Sequence, residues 1–352
     1  MAKTVYVGMS GGVDSSVSAL LLKEQGYNVV GVYMKNWSKD LPGMKCPWAE
    51  DLADAKRVAV KLGIDFYVWD FEKEYFAKVV EYMLSEFKKG NTPNPDIMCN
   101  QEIKFKLFYE KAMEAGADYI ATGHYARVEN SKLLRAVDEN KDQTYFLYRI
   151  SEEALAHTLF PIGEMMKPEV KELAEEKGLH NAYKKESMGV CFVGEVGMKD
   201  FLKEYIDVAP GEIREIESDE VLGYHEGAVF YTIGQRHGLY LNGKKGVVND
   251  GMPYYVVKKD IKKNVVYVSK NLNHEAIWAK ELGLRDVFMR DENNDTTEPK
   301  DVLVRLRHRA PLVPAKFDGE KLYFAKEIKR PASGQSAVIY DGEVCLGGGI
   351  IV

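Results

Sequence analysis

One short turn between a strand and a helix limits the fold of this chain more than any other stretch. The apolar run that begins at Thr4 leads into Ser10-Gly11-Gly12-Val13-Asp14-Ser15, and the residues from Val17 to Leu22 then indicate a helix. Two glycines let the backbone turn tightly and approach a ligand, while the free amides at the start of the helix point back at the turn. The sequence therefore predicts a phosphate-cradling loop at the carboxyl end of a first strand.

The loop has no lysine after its last glycine, because Val13 and Asp14 stand there instead. A Walker A loop needs that lysine to reach the outer phosphates of a nucleotide. The six residues resemble instead the pyrophosphatase loop of enzymes that split ATP between its α and β phosphates and attach AMP to an oxygen. A plain strand-turn-helix with serine capping is the alternative, and the full pattern in this context favours phosphate binding.

The length and composition predict a multidomain globular protein. A chain of 352 residues is too long for one ordinary core, so two or three domains are expected. No apolar segment approaches the length that spans a bilayer, and the amino terminus carries no signal-peptide pattern. The four cysteines, at positions 46, 99, 191 and 345, are widely scattered, as is typical of reduced thiols. We expect a cytoplasmic protein with no membrane partner.

The first half of the chain alternates strands and helices. A strand is predicted from Tyr27 to Met34, a helix ending at Gly63 follows it, and DFYVWDF is the next strand. Further helical spacing recurs from Phe76 to Phe87 and from Ile103 to Ala115. Such alternation predicts a parallel sheet with helices on both faces, where ligands bind outside the carboxyl ends of the strands.

The second half is predominantly β. Short β-branched and aromatic segments, separated by Gly, Asn, Asp or Pro, follow one another beyond about residue 205. We predict an ATP-binding α/β domain over 1–207, a central β domain over 208–272, and a barrel-like β domain over 273–352.

The charge distribution is informative only locally. The net charge of −6 argues against indiscriminate binding to polyanions. Residues 301–330 nevertheless carry eight Lys and Arg side chains against four Asp and Glu. A run of this kind is usually a solvated strand face, so by itself it is weak support for RNA binding.

Two of the cysteines lie in contexts that suit a reactive sulfur. Cys99 follows the proline-stiffened turn Asn94-Pro95-Asp96 just before a helix, where the helix dipole favours a thiolate. Cys191 is flanked by glycines and preceded by Lys184 and Lys185. A lone cysteine is more often a small buried hydrophobe, so spacing alone does not assign either a role.

Several long motifs, in one order from end to end, resemble the tRNA-specific 2-thiouridylase family, which replaces the 2-oxygen of the wobble uridine by sulfur. They are SGGVDSS, TPNPDIMCNQEIKF, TGHYARV, KDQTYFLYR, GVCFVGE, YTIGQRHGL and GQSAVIY.

The resemblance implies a reaction and its catalytic residues. ATP adenylates the unreactive 2-oxygen, so that AMP becomes the leaving group. Cys191 would carry a persulfide, Cys99 would end in a disulfide with it, and Asp96 would be the general acid/base. The sulfur either attacks as the Cys191 persulfide itself or is first released as hydrosulfide by Cys99. An Asx turn is the alternative role for Asp96.

The resemblance also implies binding residues. Mg²⁺ is expected between the phosphates, with Asp14 as a candidate to help hold it and no dedicated protein metal site. The tRNA anticodon arm and a persulfide donor or relay protein are the implied partners, and the uridine must leave its stack to be read. The nucleotide-binding residues would be Gly8, Met9, Ser10, Gly11, Gly12, Val13, Asp14, Ser15, Met34 and Gly123. The tRNA-binding residues would be Asn94, Pro95, Asp96, His124, Lys141, Asp142, Gln143, Arg307, His308 and Gln335. One departure from the family pattern is His308, where an aromatic residue is expected after Arg307.

Three alternatives stay open on the sequence. A pyrophosphatase-loop synthetase acting on a small molecule would not need Cys99 or Cys191. A non-catalytic RNA-binding protein would have kept the loop as a relic. An iron–sulfur cluster ligated by Cys99 and Cys191, with or without Asp96, would replace the disulfide cycle.

Overall fold

The computed structural model describes residues 2–40, 46–185, 197–241, 244–245, 252–290 and 299–352. Cys191 and the GVCFVGE motif therefore lie outside the described residues.

A five-stranded parallel sheet organises the amino-terminal part. Its strands lie in the order β3-β2-β1-β4-β7, with β1 in the middle. Since the chain turns from β1 to β2 on one side and reaches β4 on the other, the carboxyl end of β1 is a switch point where ligands bind. The prediction of a parallel α/β domain is confirmed. The strands of this part are β1 (Thr4–Gly8), β2 (Asn28–Lys35), β3 (Asp65–Asp70), β4 (Tyr119–Thr122), β5 (Ala126–Glu129), β6 (Lys132–Arg135) and β7 (Thr158–Leu159).

Helices follow the strands as the apolar spacing predicts. Gly63 ends the second helix in the left-handed conformation, with φ of 60°. Two longer helical stretches contain π-helical segments, Phe76–Val80 and Cys99–Leu107. The helices are α1 (Val13–Glu24), α2 (Trp48–Leu62), α3 (Glu72–Tyr75), α4 (Glu81–Lys88), α5 (Pro95–Met98), α6 (Phe108–Glu114), α7 (Thr144–Leu147), α8 (Glu152–Ala156), α9 (Lys167–Glu176) and α10 (Met198–Tyr205).

The central part forms a sheet in the order β11-β10-β9-β8-β13-β12. Its apolar side chains, among them Ile213, Val256 and Val266, form a separate core. A short 3₁₀ helix, Ala228–Phe230, follows β9. The strands are β8 (Gly211–Glu215), β9 (Val221–His225), β10 (Tyr240–Leu241), β11 (Lys244–Lys245), β12 (Tyr255–Asp260) and β13 (Val265–Ser269).

The carboxyl-terminal part is a closed barrel. Six strands follow one another in the order β14-β17-β16-β15-β18-β19, and an antiparallel pairing of β14 with β19 closes the ring. The predicted barrel-like domain is confirmed. The strands are β14 (Trp278–Met289), β15 (Lys300–Arg305), β16 (Val313–Phe317), β17 (Lys321–Lys329), β18 (Ser336–Asp341) and β19 (Val344–Ile351).

A strand pairing and an apolar cluster join the barrel to the amino-terminal part, across the predicted domain boundaries. The hairpin of β5 and β6 joins the barrel sheet where Leu134 pairs with Val344. Tyr340 and Cys345 of the barrel belong to the same apolar cluster as Phe108 of the parallel-sheet part. The boundaries at 207 and 272 stay predictions.

Candidate active site

The loop between β1 and α1 has the backbone geometry that the glycines predict. Gly11 has a φ of +79°, and a Cβ there would lie 2.3 Å from the carbonyl oxygen of Asp51. The amide of Ser10 donates to Ser15 Oγ at 3.2 Å, and Ser16 Oγ donates to the carbonyl of Gly12 at 2.9 Å. Only glycine fits the turn at position 11, because any side chain would meet backbone.

A buried asparagine supports the loop from outside the motif. Asn181 Nδ2 donates to the carbonyl of Gly11 and to Ser16 Oγ, both at 2.9 Å. Its side chain is 2% exposed. Asn181 lies far along the sequence with no motif to mark it, so the sequence does not predict its contact with the loop.

A lysine, also missed by the sequence analysis, brings positive charge to the loop. Lys167, the first residue of α9, is buried and donates from Nζ to Asp14 Oδ1 at 2.6 Å. The hydroxyl of Tyr125 donates to the same oxygen at 3.0 Å. The loop lacks the Walker lysine, but an ammonium group from a distant helix lies beside it.

The other predicted nucleotide residues gather at the same edge of the sheet. A Cβ on Gly8 would lie 2.9 Å from Met34 Cε, and one on Gly123 would lie 2.6 Å from the amide nitrogen of Ser15. Met9 and Val13 are buried in the core beneath the loop. The structure thus brings residues 8–15, Met34 and Gly123 together.

The turn that precedes Cys99 is stabilised by a hydrogen bond between two of its own residues and by a proline. Asn94 Oδ1 accepts from the amide of Asp96 at 3.1 Å, and Pro95 occupies the first helical position of α5. Burial raises the pKa of the Asp96 carboxyl, and the nearby ammonium of Lys104 acts in the opposite direction. Cys99 is buried at the start of the π-helical segment.

Lys104 connects this turn with the nucleotide site. Its Nζ lies 3.3 Å from His124 Nε2, while His124 Nδ1 lies 2.8 Å from Thr122 Oγ1. Burial, followed by the charge of Lys104, lowers the pKa of His124 well below its ordinary value, so the imidazole is neutral. His124 follows Gly123, which packs against Ser15 of the loop, so Lys104 lies within electrostatic range of Asp96 and in contact with a residue next to the loop.

The two cysteines without a predicted role are buried. Burial raises the pKa of the Cys345 thiol to about 12 and raises that of Cys46 as well. Neither environment favours a thiolate at neutral pH.

The predicted RNA-binding residues fall into different environments. Arg307 is exposed, whereas Asp142 is 1% exposed and forms an ion pair with Arg305 of the barrel. Gln143 Oε1 accepts from the amide of Tyr125 at 2.9 Å. In this structure the side chains of Asp142 and Gln143 therefore bind other groups of the protein. Lys141 is partly exposed.

The remaining two lie in or beside the barrel. His308 packs on Phe146 with ring centroids 4.5 Å apart, and burial lowers the pKa of His308 to about 4. Gln335 Nε2 donates to the carbonyl of Thr92 at 2.7 Å, two residues before Asn94. The structure therefore brings Gln335, which is partly exposed, to the segment that leads into the Asp96 turn, whereas Asp142 is buried.

The described part of the chain shows neither a dedicated metal cluster nor a membrane span. Within the described ranges, no group of three or more His, Cys, Asp and Glu side chains is arranged to hold a metal ion. No described helix combines the length and the apolar character needed to cross a bilayer.

The phosphate loop at the switch point of a parallel sheet, followed by two β domains, defines a pyrophosphatase-loop nucleotide-binding protein. Three family models match the chain: a tRNA methyl transferase HUP domain at 3–195, a tRNA methyl transferase PRC-barrel domain at 199–270, and an aminomethyltransferase β-barrel domain at 280–351. The chain belongs to the tRNA-specific 2-thiouridylase family.

The relatives that support this assignment are similar over nearly the whole chain. The tRNA-specific 2-thiouridylase MnmA of Listeria monocytogenes is 48% identical over 358 residues, covering 99% of this chain and 94% of the relative. The corresponding MnmA of Idiomarina loihiensis is 48% identical over 360 residues, covering 99% and 96%.

Solved structures overlap only part of the chain. A 4-thiouridine synthetase in complex with RNA and ATP is 19% identical, with a TM-score of 0.38, and covers 57% of this chain and 50% of its own. An NMN synthetase from Francisella tularensis is 18% identical, with a TM-score of 0.33, and covers 53% and 66%.

Proposed function

We propose that the protein is an ATP-dependent tRNA sulfurtransferase that converts the wobble uridine of tRNA to 2-thiouridine. Family membership supports the activity. One contact supports the assignment of that activity to the phosphate loop and the Asp96 turn. The 3.3 Å approach of Lys104 to His124 joins the Asp96 turn to the phosphate loop. We therefore infer that a base held by the turn and a nucleotide held by the loop share one site.

The first half-reaction would activate the base. The loop amides from Gly8 to Ser15, with the ammonium of Lys167, would hold the phosphates, while Met34 and Gly123 contact the adenosine. The uridine 2-oxygen attacks the α phosphorus and pyrophosphate leaves. The Asp96 carboxylate, whose pKa is raised by burial, would accept a proton from the base as the 2-oxygen attacks, and would later return it. Mg²⁺ would be held mainly by the phosphates with the Asp14 carboxylate, since this ion binds with few protein ligands and neutralises phosphate charge.

The second half-reaction would transfer sulfur. A persulfide on Cys191 attacks C2, AMP leaves, and Cys99 then attacks the inner sulfur, which leaves a Cys99–Cys191 disulfide. In the other order, Cys99 displaces hydrosulfide from Cys191, and hydrosulfide attacks C2. Both orders consume one persulfide and require a two-electron reductant to restore the thiols. A persulfide donor or relay protein would reload Cys191.

The alternatives make different predictions for the cysteines. The relatives do not favour a small-molecule synthetase. If an iron–sulfur cluster replaced the disulfide cycle, protein purified without oxygen would contain iron and absorb visible light.

The experiment is thiolation of a tRNA transcript with ATP and a persulfide donor, with AMP and nucleosides measured by mass spectrometry. We expect Cys99→Ser and Cys191→Ser to abolish 2-thiouridine while one turnover of tRNA-dependent pyrophosphate release, followed with an enzyme-coupled assay, persists, because adenylation releases pyrophosphate and AMP leaves only when sulfur attacks. Cys46→Ser is the control and retains both products. Full 2-thiouridine formation by both variants, or no tRNA-dependent AMP from the unaltered protein, would refute the proposal.

A further inference from the structure

The three residues before Pro93, which are Gly90, Asn91 and Thr92, lie at the junction of all three parts of the molecule. We call this segment the junction segment. It follows α4 closely, and Gly90 has a φ of +88°. Its backbone leads through Pro93 into the Asp96 turn, so its position sets where that turn begins.

The central domain holds the start of the junction segment. Lys259, on β12, is partly buried and donates from Nζ to the carbonyl of Gly90 at 2.7 Å and to that of Tyr231 at 2.6 Å. The hydroxyls of Thr92 and Thr232 lie 3.3 Å apart. One ammonium side chain thus ties a strand and a loop of the central domain to the junction segment.

The barrel holds the other end. The amide of Thr92 donates to the carbonyl of Ser333 at 2.7 Å, and the carbonyl of Thr92 accepts from Gln335 Nε2 at 2.7 Å. A Cβ on Gly334 would lie 3.0 Å from the Thr92 amide nitrogen, so the two backbones are in close contact. Both backbone polar groups of Thr92 are bonded to the barrel.

The connection from the junction segment to the active site is short and stiff. Three residues separate Thr92 from Asp96, and two of them, Pro93 and Pro95, have their φ angles fixed by their rings. Proline also restricts the residue before it, which limits Thr92 and Asn94 as well. Few backbone angles between the junction segment and Asp96 are therefore free to vary, so the position of the segment constrains the position of the turn.

We propose that Lys259 is a positioning residue, which fixes the Asp96 turn against the nucleotide site by fastening the junction segment to the central domain. This role rests on the proposed function. Lys259 donates to backbone carbonyls of the protein and so acts through the carbonyl of Gly90. Holding a partly buried ammonium group against two carbonyls has a cost, because removal from water also lowers the pKa of Lys259, to about 8.

The test compares Lys259→Met with Lys258→Met. Methionine keeps the length and the apolar stem of Lys259 but removes the N–H donors. Lys258 is the exposed neighbour on the same strand, and its Nζ lies over the ring of Tyr267. We expect Lys259→Met to lower kcat for AMP formation about tenfold while the Kd for tRNA and the KM for ATP stay within about twofold. Lys258→Met should match the unaltered protein, and Lys259→Arg, which keeps donors, should recover part of the loss.

A second measurement does not depend on activity. Cys99 is buried, and iodoacetamide alkylation followed by peptide mass spectrometry reports how well the turn is held. We expect Lys259→Met to speed alkylation of Cys99 about tenfold, with Cys345 unchanged as the internal reference. If Lys259→Met fails to fold, Thr232→Val, which removes the contact to the Thr92 hydroxyl, should accelerate Cys99 alkylation in the same direction.

The outcomes separate the two proposals. Unchanged Cys99 alkylation, or a loss of tRNA affinity that matches the loss of kcat, would overturn the role of Lys259. An unaltered protein that makes no 2-thiouridine would overturn the proposed function, while the alkylation measurement still decides whether Lys259 holds the turn.

Discussion

Lys104 Nζ lies 3.3 Å from His124 Nε2, and the two residues belong to different sides of the candidate site. Because burial keeps the imidazole neutral, Nε2 accepts from Lys104 and Nδ1 donates to Thr122 Oγ1. The same ammonium group lowers the pKa of Asp96 against the effect of burial. One lysine therefore adjusts the protonation of both groups that would face the base.

Replacing Lys104 should move the pH dependence of the reaction. Lys104→Met removes the charge that favours the Asp96 carboxylate, so the pKa of Asp96 rises further and the acid limb of the kcat/KM profile shifts to higher pH. We expect a loss of about tenfold at neutral pH, within the usual range for acid–base groups. Lys106→Met, at an exposed position that pairs with Glu102, is the control. A profile for Lys104→Met that overlays the unaltered one would contradict this role.

Asp96 should reduce stability at neutral pH. Its pKa is raised in the folded protein, so the folded state binds more protons between the unfolded and folded pKa values, and stability falls as pH rises through that window. Asp96→Asn removes the charge and should unfold at a higher temperature at pH 7. Its free energy of unfolding should rise by about 1.4 kcal/mol for each unit by which the pKa of Asp96 in the folded protein exceeds that in the unfolded chain. The advantage should vanish well below the unfolded pKa. Thermal unfolding at pH 7 and at acidic pH measures both, and an Asp96→Asn protein less stable at pH 7 would refute the expectation.

Two glycines with similar positive φ angles separate backbone strain from steric exclusion. Gly11 and Gly26 have φ of +79° and +88°, but a Cβ on Gly26 meets nothing within 4 Å. Gly26→Ala should therefore cost only the strain, about 1–2 kcal/mol. Gly11→Ala adds a collision with the Asp51 backbone and should abolish ATP binding, as measured by calorimetry. Equal ATP affinity in the two variants would show that the loop tolerates a side chain.

Neighbouring arginines of the barrel should have opposite effects. Arg305 pairs with buried Asp142, so Arg305→Met leaves the Asp142 carboxylate without its closest charged partner. The free energy of unfolding, measured with urea, should fall by about 3–5 kcal/mol. The loss is smaller to the extent that Arg135, 3.8 Å from the same carboxylate, compensates. Arg307 is exposed, and Arg307→Met should weaken tRNA binding and its salt dependence with little change in stability. If Arg305→Met instead weakened tRNA binding at full stability, Asp142 would belong to the RNA surface.

Local patterns in the sequence predict the parts of the fold that depend on local physics. The glycine turn, the apolar spacing of α2 and the left-handed Gly63 all follow from neighbouring residues. The strand order, the closing of the barrel by β14 and β19, and the hairpin shared with the barrel depend on pairings between distant segments, which periodicity does not encode.

The site shows the same division. The phosphate loop and the Asp96 turn carry motifs and are predictable, whereas Asn181, Lys167 and Lys259 act through single side chains that arrive from distant elements. A lone lysine or asparagine looks the same in sequence whether it is solvated or buried. The burial of Asp142 escapes sequence reasoning for this reason, since its partner Arg305 lies in another domain.

The hairpin of β5 and β6 is encoded with the nucleotide-binding half but extends the sheet of the closed barrel through the pairing of Leu134 with Val344. A fragment that ends before the barrel would leave the outer edge of β6 with unpaired backbone groups, an open template for aggregation. Conversely, an isolated barrel would keep the pairings of β19 with β14 and β18 but lose the pairing of Val344 with Leu134. Gene fragments cut at the apparent domain borders therefore divide one folding unit, and swapping the barrel between homologues requires exchanging the hairpin with it.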